Sequence, residues 1–236
     1  MKMILVANVA GGVGKTTSAH AFAVAATEYG KKVLLIDADP AAATTFICGI
    51  ENPRVTTKEF LAQEFTLESA AIRTTERFSL LPSSSRLSSL DIDGALSIEK
   101  LQDSLKEFDL VVVDSATGPN RLMTYFASVT DLLVIPTIDE ILSIRGALHA
   151  KDFAISSGLK SAVLLLVTMQ SDSLAPEIFE QWSQDFELLE PFIRKDRLAS
   201  ESQLSGKSVL SLHTQSAISA DYREVMYSLL EKLELI

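Results

Sequence analysis

The sequence predicts an α/β fold with a doubly wound, mostly parallel sheet. Short apolar runs alternate along the chain with longer segments of helical periodicity, and the runs are rich in Val, Ile and Leu. Continuous apolar runs of this length are typical of strands buried on both faces, and their alternation with helices is typical of a parallel sheet. Ligands of such a sheet lie at the carboxyl ends of its strands.

Each element follows from this pattern in chain order. The apolar runs predict strands at Met3–Val9, Lys32–Ile36, Phe78–Leu81, Leu110–Val113, Leu132–Ile135 and Ala162–Val167. The helical patterns predict helices at Lys15–Tyr29, Ile98–Glu107, Asp139–Ser157 and Ala217–Leu235. The serine-rich stretch Ser83–Ser89 is interpreted as a loop, with a phosphorylation site as the alternative. Neither a linker nor a repeat divides the chain, so residues 1–236 are expected to form one domain.

Composition excludes several classes of protein. The 21 Lys and Arg against 31 Asp and Glu give a net charge of −10, which excludes a protein that coats nucleic acid with its whole surface. A local basic patch remains compatible with that charge. The single cysteine, Cys48, excludes a disulfide framework and a thiolate zinc site. No apolar run reaches the roughly 18 residues of a membrane span, and we expect a cytoplasmic protein.

The segment from Ala10 to Thr17 carries the strongest functional signal. It reads Ala-Gly-Gly-Val-Gly-Lys-Thr-Thr between a predicted strand and a predicted helix, the context that favours a phosphate-binding loop. Glycines let backbone amides turn toward an anion, and the helix amino terminus adds its positive end. Lys15 supplies a mobile charge for β- and γ-phosphates, and the Thr16 hydroxyl suits Mg²⁺. The predicted nucleotide contacts of this loop are Gly11, Gly12, Val13, Gly14, Lys15, Thr16 and Thr17.

The loop resembles the deviant Walker A box of the ParA/MinD family of P-loop NTPases. The standard motif would require glycine at position 9, where this chain has Val9. Members of the family normally carry a second lysine directly before the paired glycines, and here that position is Ala10. The resemblance covers nearly the whole chain and implies ATP and Mg²⁺ as cofactors.

Two carboxylates match further motifs of the family. In Leu34–Pro40, a strand ending in Asp-Ala-Asp-Pro, the resemblance makes Asp39 the catalytic carboxylate that orients the attacking water, with a further contact to the Mg²⁺ shell. The alternative is that Asp39 caps a turn before Pro40. Leu110–Asp114 resembles a Walker B strand, in which Asp114 holds Mg²⁺.

Later segments match the family more loosely. Leu132–Thr137 resembles the strand before the dimer-interface helix, and Leu166–Met169 resembles the strand end beside the adenine, which implies a cofactor contact at Met169. Phe192–Leu198 resembles the segment that closes over the base, which adds Arg194 to the predicted cofactor contacts.

The alanine at position 10 needs an explanation, because in ParA-type proteins the second lysine reaches the partner's nucleotide. Either this chain forms no face-to-face dimer, or another cation substitutes. The resemblance favours the second alternative, in which another cation takes the role of the lysine. The McdA-type branch, which distributes carboxysomes, also has a small residue at the position of Ala10. We expect Lys151, on the predicted helix Asp139–Ser157, to take over, with Arg145 and Arg121 as competitors. An ordinary solvent-exposed lysine is the alternative.

The resemblance is compatible with three classes of function: a DNA-binding positioning ATPase, a membrane-binding ATPase of the MinD type, and a metabolic enzyme such as a dethiobiotin or cobyrinate synthetase. The tail Tyr227–Ile236 has two acids and one base, which disfavours binding to anionic lipid. Ile193–Arg223 has five bases against three acids, whereas Asp172–Glu190 has six acids and no base. We therefore predict DNA contacts, with scattered surface charge as the alternative, at Lys195, Arg197, Lys207 and Arg223.

The resemblance implies slow hydrolysis of Mg·ATP in an ATP-bound sandwich homodimer that binds nucleoid DNA without sequence specificity. An McdB-type adaptor on the cargo would stimulate hydrolysis and release the DNA. The expected cargo is the carboxysome. Plasmid or chromosome partition is the alternative, and a MinD-like role at a membrane is a weaker one.

Overall fold

An eight-stranded, mostly parallel sheet dominates the computed structural model, which describes residues 1–159, 161–169 and 182–236. The strands are β1 Lys2–Val6, β2 Val33–Ala38, β3 Ile72–Arg73, β4 Ser79–Leu81, β5 Leu110–Ser115, β6 Leu132–Thr137, β7 Ala162–Met169 and β8 Glu187–Arg194. Their spatial order is β3-β4-β2-β5-β1-β6-β7-β8, and only the β3–β4 pair is antiparallel. The predicted fold class is confirmed.

Helices cover both faces of this sheet. In chain order they are α1 Lys15–Glu28, α2 Ala43–Ile47, α3 Thr57–Leu61, α4 Leu67–Ala70, α5 Ile98–Leu105, α6 Arg121–Ala127, α7 Ile141–Ser156, α8 Leu198–Leu204, α9 Val209–Leu212 and α10 Ala217–Lys232. Successive strand residues point to opposite faces, so Leu5 packs with α5, α6 and α7, whereas Ile4 packs with α1 and α10. Both layers bury their strands, which explains the uninterrupted apolar runs. Among the described residues, no helix has the length and apolarity needed to cross a lipid bilayer.

The main differences from the sequence prediction lie at element ends, at the sheet edges and in the short helices. The four predicted helices do not include α2, α3, α4, α6, α8 and α9. β1 ends at Val6 rather than Val9, because the chain turns there into the phosphate loop. Ser85–Ser89, predicted as loop, form a short 3₁₀ helix. Strands β3, which has only two residues, and β8 are absent from the sequence prediction.

Strand β8 has no uninterrupted apolar run in its sequence, because it is only partly buried. Of its residues, Leu189 and Ile193 are buried and the others are partly or fully exposed. It occupies the end of the described sheet and contains Pro191, a residue that edge strands tolerate because they lack a second ladder. Its last residue, Arg194, therefore lies at the carboxyl edge of the sheet.

Candidate nucleotide-binding site

A glycine-rich loop connects the central strand β1 to helix α1. Gly12 and Gly14 have φ angles of 72° and 84°, in the left-handed region that residues with a Cβ rarely adopt. Gly14 also approaches Val167 so closely that a Cβ would lie 3.2 Å from Val167 Cγ1. Because α1 begins at Lys15, the loop ends at a helix amino terminus, where backbone N–H groups and the helix dipole favour an anion.

Lys15 is buried beneath this loop, with only 7% of its surface exposed. Its Nζ donates a hydrogen bond to the Ala10 carbonyl at 2.8 Å. Burial lowers the pKa of Lys15, while the carboxylates of Asp114 and Asp39 act in the opposite direction. The amine is therefore held at the loop as a poorly hydrated charge, which favours an anionic ligand.

Asp114, at the end of β5, faces the first residues of α1. Its Oδ2 accepts hydrogen bonds from the hydroxyls of Thr16 at 2.8 Å and Thr44 at 2.6 Å. Its Oδ1 is buried and has no hydrogen-bond partner in the described structure. Burial, reinforced by the nearby Asp37, raises the pKa of Asp114 to about 7. An orphaned carboxylate oxygen beside a threonine hydroxyl fits the oxygen ligands that Mg²⁺ prefers.

Asp37 and Asp39 lie in different surroundings although they share one motif. Asp37 is fully buried, and its Oδ2 accepts the backbone N–H and the hydroxyl of Thr45 at 2.8 and 2.6 Å. Burial raises the pKa of Asp37 to about 6 despite these hydrogen bonds. Asp39 is partly exposed and lines the cavity beside the phosphate loop, where its Oδ1 also accepts the Ala41 N–H at 2.8 Å. The turn-capping bond and the cavity position therefore coexist at Asp39.

A cavity of about 700 Å³ opens between the phosphate loop and the carboxyl edge of β7 and β8. Its polar end contains Lys15, Thr16, Asp39 and Thr117. The apolar wall of the cavity is formed by Ile47, Val167, Ile193, Ile218 and Tyr222. A space that is charged at one end and apolar at the other suits a nucleotide, with phosphates on the loop and the base against the wall.

Two predicted cofactor contacts have different outcomes at this cavity. Arg194 lines the cavity, but its Nε and one terminal nitrogen both donate to the buried carboxylate of Asp221, each at 2.7 Å. This bidentate pair ties β8 to α10 and occupies most of the guanidinium. Met169 ends β7, and its side chain lies outside the described part of the structure.

The four residues predicted to contact DNA are not equivalent. Lys195 and Arg197 are exposed and line the mouth of the same cavity, and Arg197 forms an ion pair with Glu201 at 3.5 Å. Lys207 is exposed in the turn between α8 and α9. Arg223 binds Glu28 of α1 through two nitrogens, at 2.5 and 3.0 Å, so its charge is already engaged. The acidic stretch predicted at 172–190 lies partly outside the described residues.

The three cations considered as substitutes for a second lysine also differ. Lys151 donates to the carbonyl of Asp185, and its Nζ lies 4.9 Å from the centre of the Phe186 ring. Arg121 forms an ion pair with Asp93. Arg145 lines a cleft of about 500 Å³ between α7 and the loop residues Ala10 and Gly11. Within this single chain, Arg145 is the candidate that faces the loop.

A family model for AAA_31, an AAA domain, matches residues 1–155, which include the loop, Asp39 and Asp114. The chain belongs to the ParA/MinD family of P-loop ATPases. The matched part ends within α7, so the family assignment covers the polar end of the cavity. The apolar wall contributed by β8 and α10 lies beyond it.

Among curated relatives of this ParA/MinD-family chain, an uncharacterised ATP-binding protein of Methanocaldococcus jannaschii is 29% identical over 94% of the chain and 86% of its own length. The maintenance of carboxysome distribution protein A of Synechococcus elongatus is 29% identical over 58% of each chain. The chromosome-partitioning ATPase Soj of Thermus thermophilus is 30% identical over 62% of this chain and 58% of its own length.

Solved structures share the whole fold at lower identity. The cell division ATPase MinD of Pyrococcus furiosus matches with a TM-score of 0.84, 24% identity and coverage of 98% and 99% of the two chains. Cobyrinic acid a,c-diamide synthase of Mycobacterium smegmatis, with bound ADP and magnesium, matches with a TM-score of 0.81, 23% identity and coverage of 99% and 95%. Each shares the architecture of this ParA/MinD-family chain.

Sequence reasoning missed two polar residues of the site. Thr44 donates to Asp114 across 70 residues of chain, and Asn8 bonds the Ala10 N–H at 2.9 Å. Asn8 was counted within an apolar strand, although a lone amide between apolar residues is a signal for a buried hydrogen-bond network. Thr44 has no comparable local signal, because its role depends on the packing of α2 against β2 and α1.

Proposed function

We propose that this chain is a Mg²⁺-dependent ATPase that converts ATP and water to ADP and phosphate. The observation that carries the proposal is the convergence of Lys15, Thr16 and Asp39 at one end of a nucleotide-sized cavity, with Asp114 bonded to Thr16 directly behind it. Because no linker divides the sequence, residues 1–236 are proposed to act as one ATPase domain.

Each polar residue has a role that its surroundings support. Lys15 and the loop amides hold the phosphates, because the buried ammonium and the backbone N–H groups at the start of α1 both attract an anion. Thr16 and Asp114 hold Mg²⁺, which neutralises charge on the phosphate oxygens when it is bound. Asp39 orients the attacking water, because its carboxylate borders the cavity and remains partly exposed.

ATP is proposed to join two copies of the chain face to face. The first turn of α7 presents Ile141 and Leu142, which are 81% and 71% exposed, near the phosphate loop. Large apolar side chains exposed together favour a protein interface. In the dimer, Lys151 is proposed to leave the Asp185 carbonyl and reach the partner's nucleotide, in place of the lysine that Ala10 replaces.

The dimer is proposed to bind nucleoid DNA through phosphate contacts from Lys195, Arg197 and Lys207, with Arg223 contributing if its pair with Glu28 opens. An McdB-type adaptor on the cargo would stimulate hydrolysis and release the complex. Likeness to the carboxysome distribution protein of Synechococcus elongatus favours a carboxysome cargo. The alternative, plasmid or chromosome partition, is supported by the likeness to Soj, and a membrane role of the MinD type is the least favoured.

A gel-shift assay on DNA of arbitrary sequence tests this function. We expect retention with Mg·ATP and little with Mg·ADP or without nucleotide, because a ligand shifts an equilibrium only toward the state that it prefers. Equal retention in all three conditions would contradict ATP-controlled DNA binding. Hydrolysis without any DNA retention would instead favour the membrane or metabolic alternative.

A further inference from the structure

The side chain of Asn8 joins the phosphate loop to helix α7. Asn8 is only 1% exposed, and its Oδ1 accepts the Ala10 N–H at 2.9 Å. Its Nδ2 donates to the Pro136 carbonyl at 2.9 Å and, at the longer distance of 3.4 Å, to the Ser143 carbonyl. The orientation of the amide is fixed, because one side meets an N–H donor and the other meets carbonyl acceptors. One side chain therefore contacts the loop, the end of β6 and the first turn of α7.

The peptide groups on both sides of Ala10 are held by side chains. Asn8 accepts the Ala10 N–H, and Lys15 Nζ donates to the Ala10 carbonyl at 2.8 Å. Lys15 is also the residue proposed to bind the phosphates. A ligand that moves the Lys15 ammonium therefore acts on Ala10, and through Ala10 on Asn8.

Gly146 brings helix α7 against this hydrogen bond. A Cβ at position 146 would lie 2.6 Å from Asn8 Oδ1, 2.9 Å from the Ala10 nitrogen and 3.0 Å from Ala10 Cβ. The position is inside a helix, where alanine is otherwise the better residue. The close approach accounts for the glycine, and it means that the loop cannot shift toward α7 without displacing the helix.

We propose that Asn8 is a positioning residue that couples nucleotide binding at the phosphate loop to the position of helix α7. Tightly packed interiors transmit a displacement rather than absorb it. The helix carries the exposed Ile141 and Leu142 in its first turn, so the coupling reaches an apolar surface. The inference rests on the nucleotide site of the proposed function, and it requires neither dimerisation nor DNA.

Hydrogen exchange over residues 141–156 tests the coupling, with and without Mg·ADP, at a concentration where light scattering detects single subunits. For the wild type we expect Mg·ADP to change the exchange rate of this helix by at least about threefold. Asn8→Ala should reduce that nucleotide-dependent change to less than about one third while calorimetry still detects Mg·ADP binding. A purely structural role would change exchange equally with and without nucleotide. Ser156→Ala, at the far end of α7, is the matched control and should retain the wild-type difference.

Two results would overturn the coupling: no difference in α7 when the wild type has bound Mg·ADP, or a full wild-type difference in Asn8→Ala. If Asn8→Ala does not fold, Gly146→Ala decides, because it keeps Asn8 and forces α7 away from Ala10. Retention of the difference in Gly146→Ala would then contradict the proposal. Absence of ATP-dependent dimers or of DNA binding would not affect this measurement. Failure of the wild type to bind Mg·ADP would overturn the nucleotide site and the coupling together.

Discussion

Asp37 and Asp114 are directly paired across the parallel strands β2 and β5, so two fully buried carboxyl groups lie side by side at the carboxyl edge of the sheet. Burial raises the pKa of Asp37 to about 6 and that of Asp114 to about 7. The neighbouring carboxylate of Asp37 raises the pKa of Asp114 further, and that of Asp39 does the same for Asp37. In the absence of a cation, the folded chain thus binds protons that the unfolded chain has released. The two adjacent buried carboxyl groups therefore lower the stability of the cation-free fold, and they favour the binding of a divalent cation.

A pH dependence of stability follows for the metal-free protein. A carboxyl group with a raised folded-state pKa is destabilising once the pH exceeds its unfolded value near 4, and the loss grows until the pH passes the folded value. From pH 5.5 to pH 8, ionisation of Asp114 should lower the free energy of unfolding by about 2 kcal/mol. Urea denaturation with a chelator present measures this. Asp114→Asn should remove most of the slope and should abolish Mg²⁺ binding.

The matched control for that slope is Asp131→Asn, since Asp131 is a partly exposed carboxylate that pairs with Lys2 at 3.9 Å. It should retain the pH dependence of the wild type. A slope of unchanged size in Asp114→Asn would show that other groups carry the dependence.

The basic residues near the cavity should separate into two groups in DNA binding. Lys207→Glu is expected to weaken DNA retention and to reduce the salt dependence by about one phosphate contact, with Mg·ATP affinity unchanged. Lys195→Glu with Arg197→Glu should weaken both DNA and nucleotide binding, because both residues line the nucleotide cavity. Gel shifts at several salt concentrations and calorimetry measure the two affinities.

Lys106→Glu, on an exposed lysine just after α5, is the control for a general charge effect. It should leave DNA retention near the wild-type value. Equal losses in Lys106→Glu and Lys207→Glu would mean that net charge, rather than a local patch, determines binding.

Lys151 should control ATP-dependent association. Lys151→Ala is expected to weaken dimerisation in Mg·ATP by about tenfold or more, because phosphate charge at a partly desolvated interface would lose its counter-charge. Arg121→Ala should have little effect, since Arg121 is paired with Asp93. Light scattering over a concentration series gives the dimerisation constants. If Lys151→Ala dimerises normally and Arg145→Ala does not, the role belongs to Arg145, which faces Ala10 across the cleft.

The elements that could be predicted from the sequence are those with a recognisable pattern in their own residues. The phosphate loop, α1 and the buried strands β2, β5 and β6 follow from glycine placement and uninterrupted apolar runs. Strand β8 could not be found in this way, because its burial comes from one neighbouring strand and from α10.

The missed contacts of the site depend on tertiary packing. The sequence identified Asp114 from its strand, but Thr44 reaches it only because α2 packs against β2 and α1. Likewise, nothing near Gly146 indicates that its missing side chain makes room for Asn8 and Ala10, far away in sequence. The ion pairs of Arg194 with Asp221 and of Arg223 with Glu28 could not be predicted from the sequence either, because both depend on the packing of α10.

The mass of the protein in saturating nucleotide tests the central claim most directly. In light scattering, the 25.7 kDa chain should double its mass in Mg·ATP and remain a single subunit in Mg·ADP. Calorimetry in the same buffer verifies that both nucleotides are bound. A single subunit in saturating Mg·ATP would contradict the proposal that the nucleotide joins two copies of this chain.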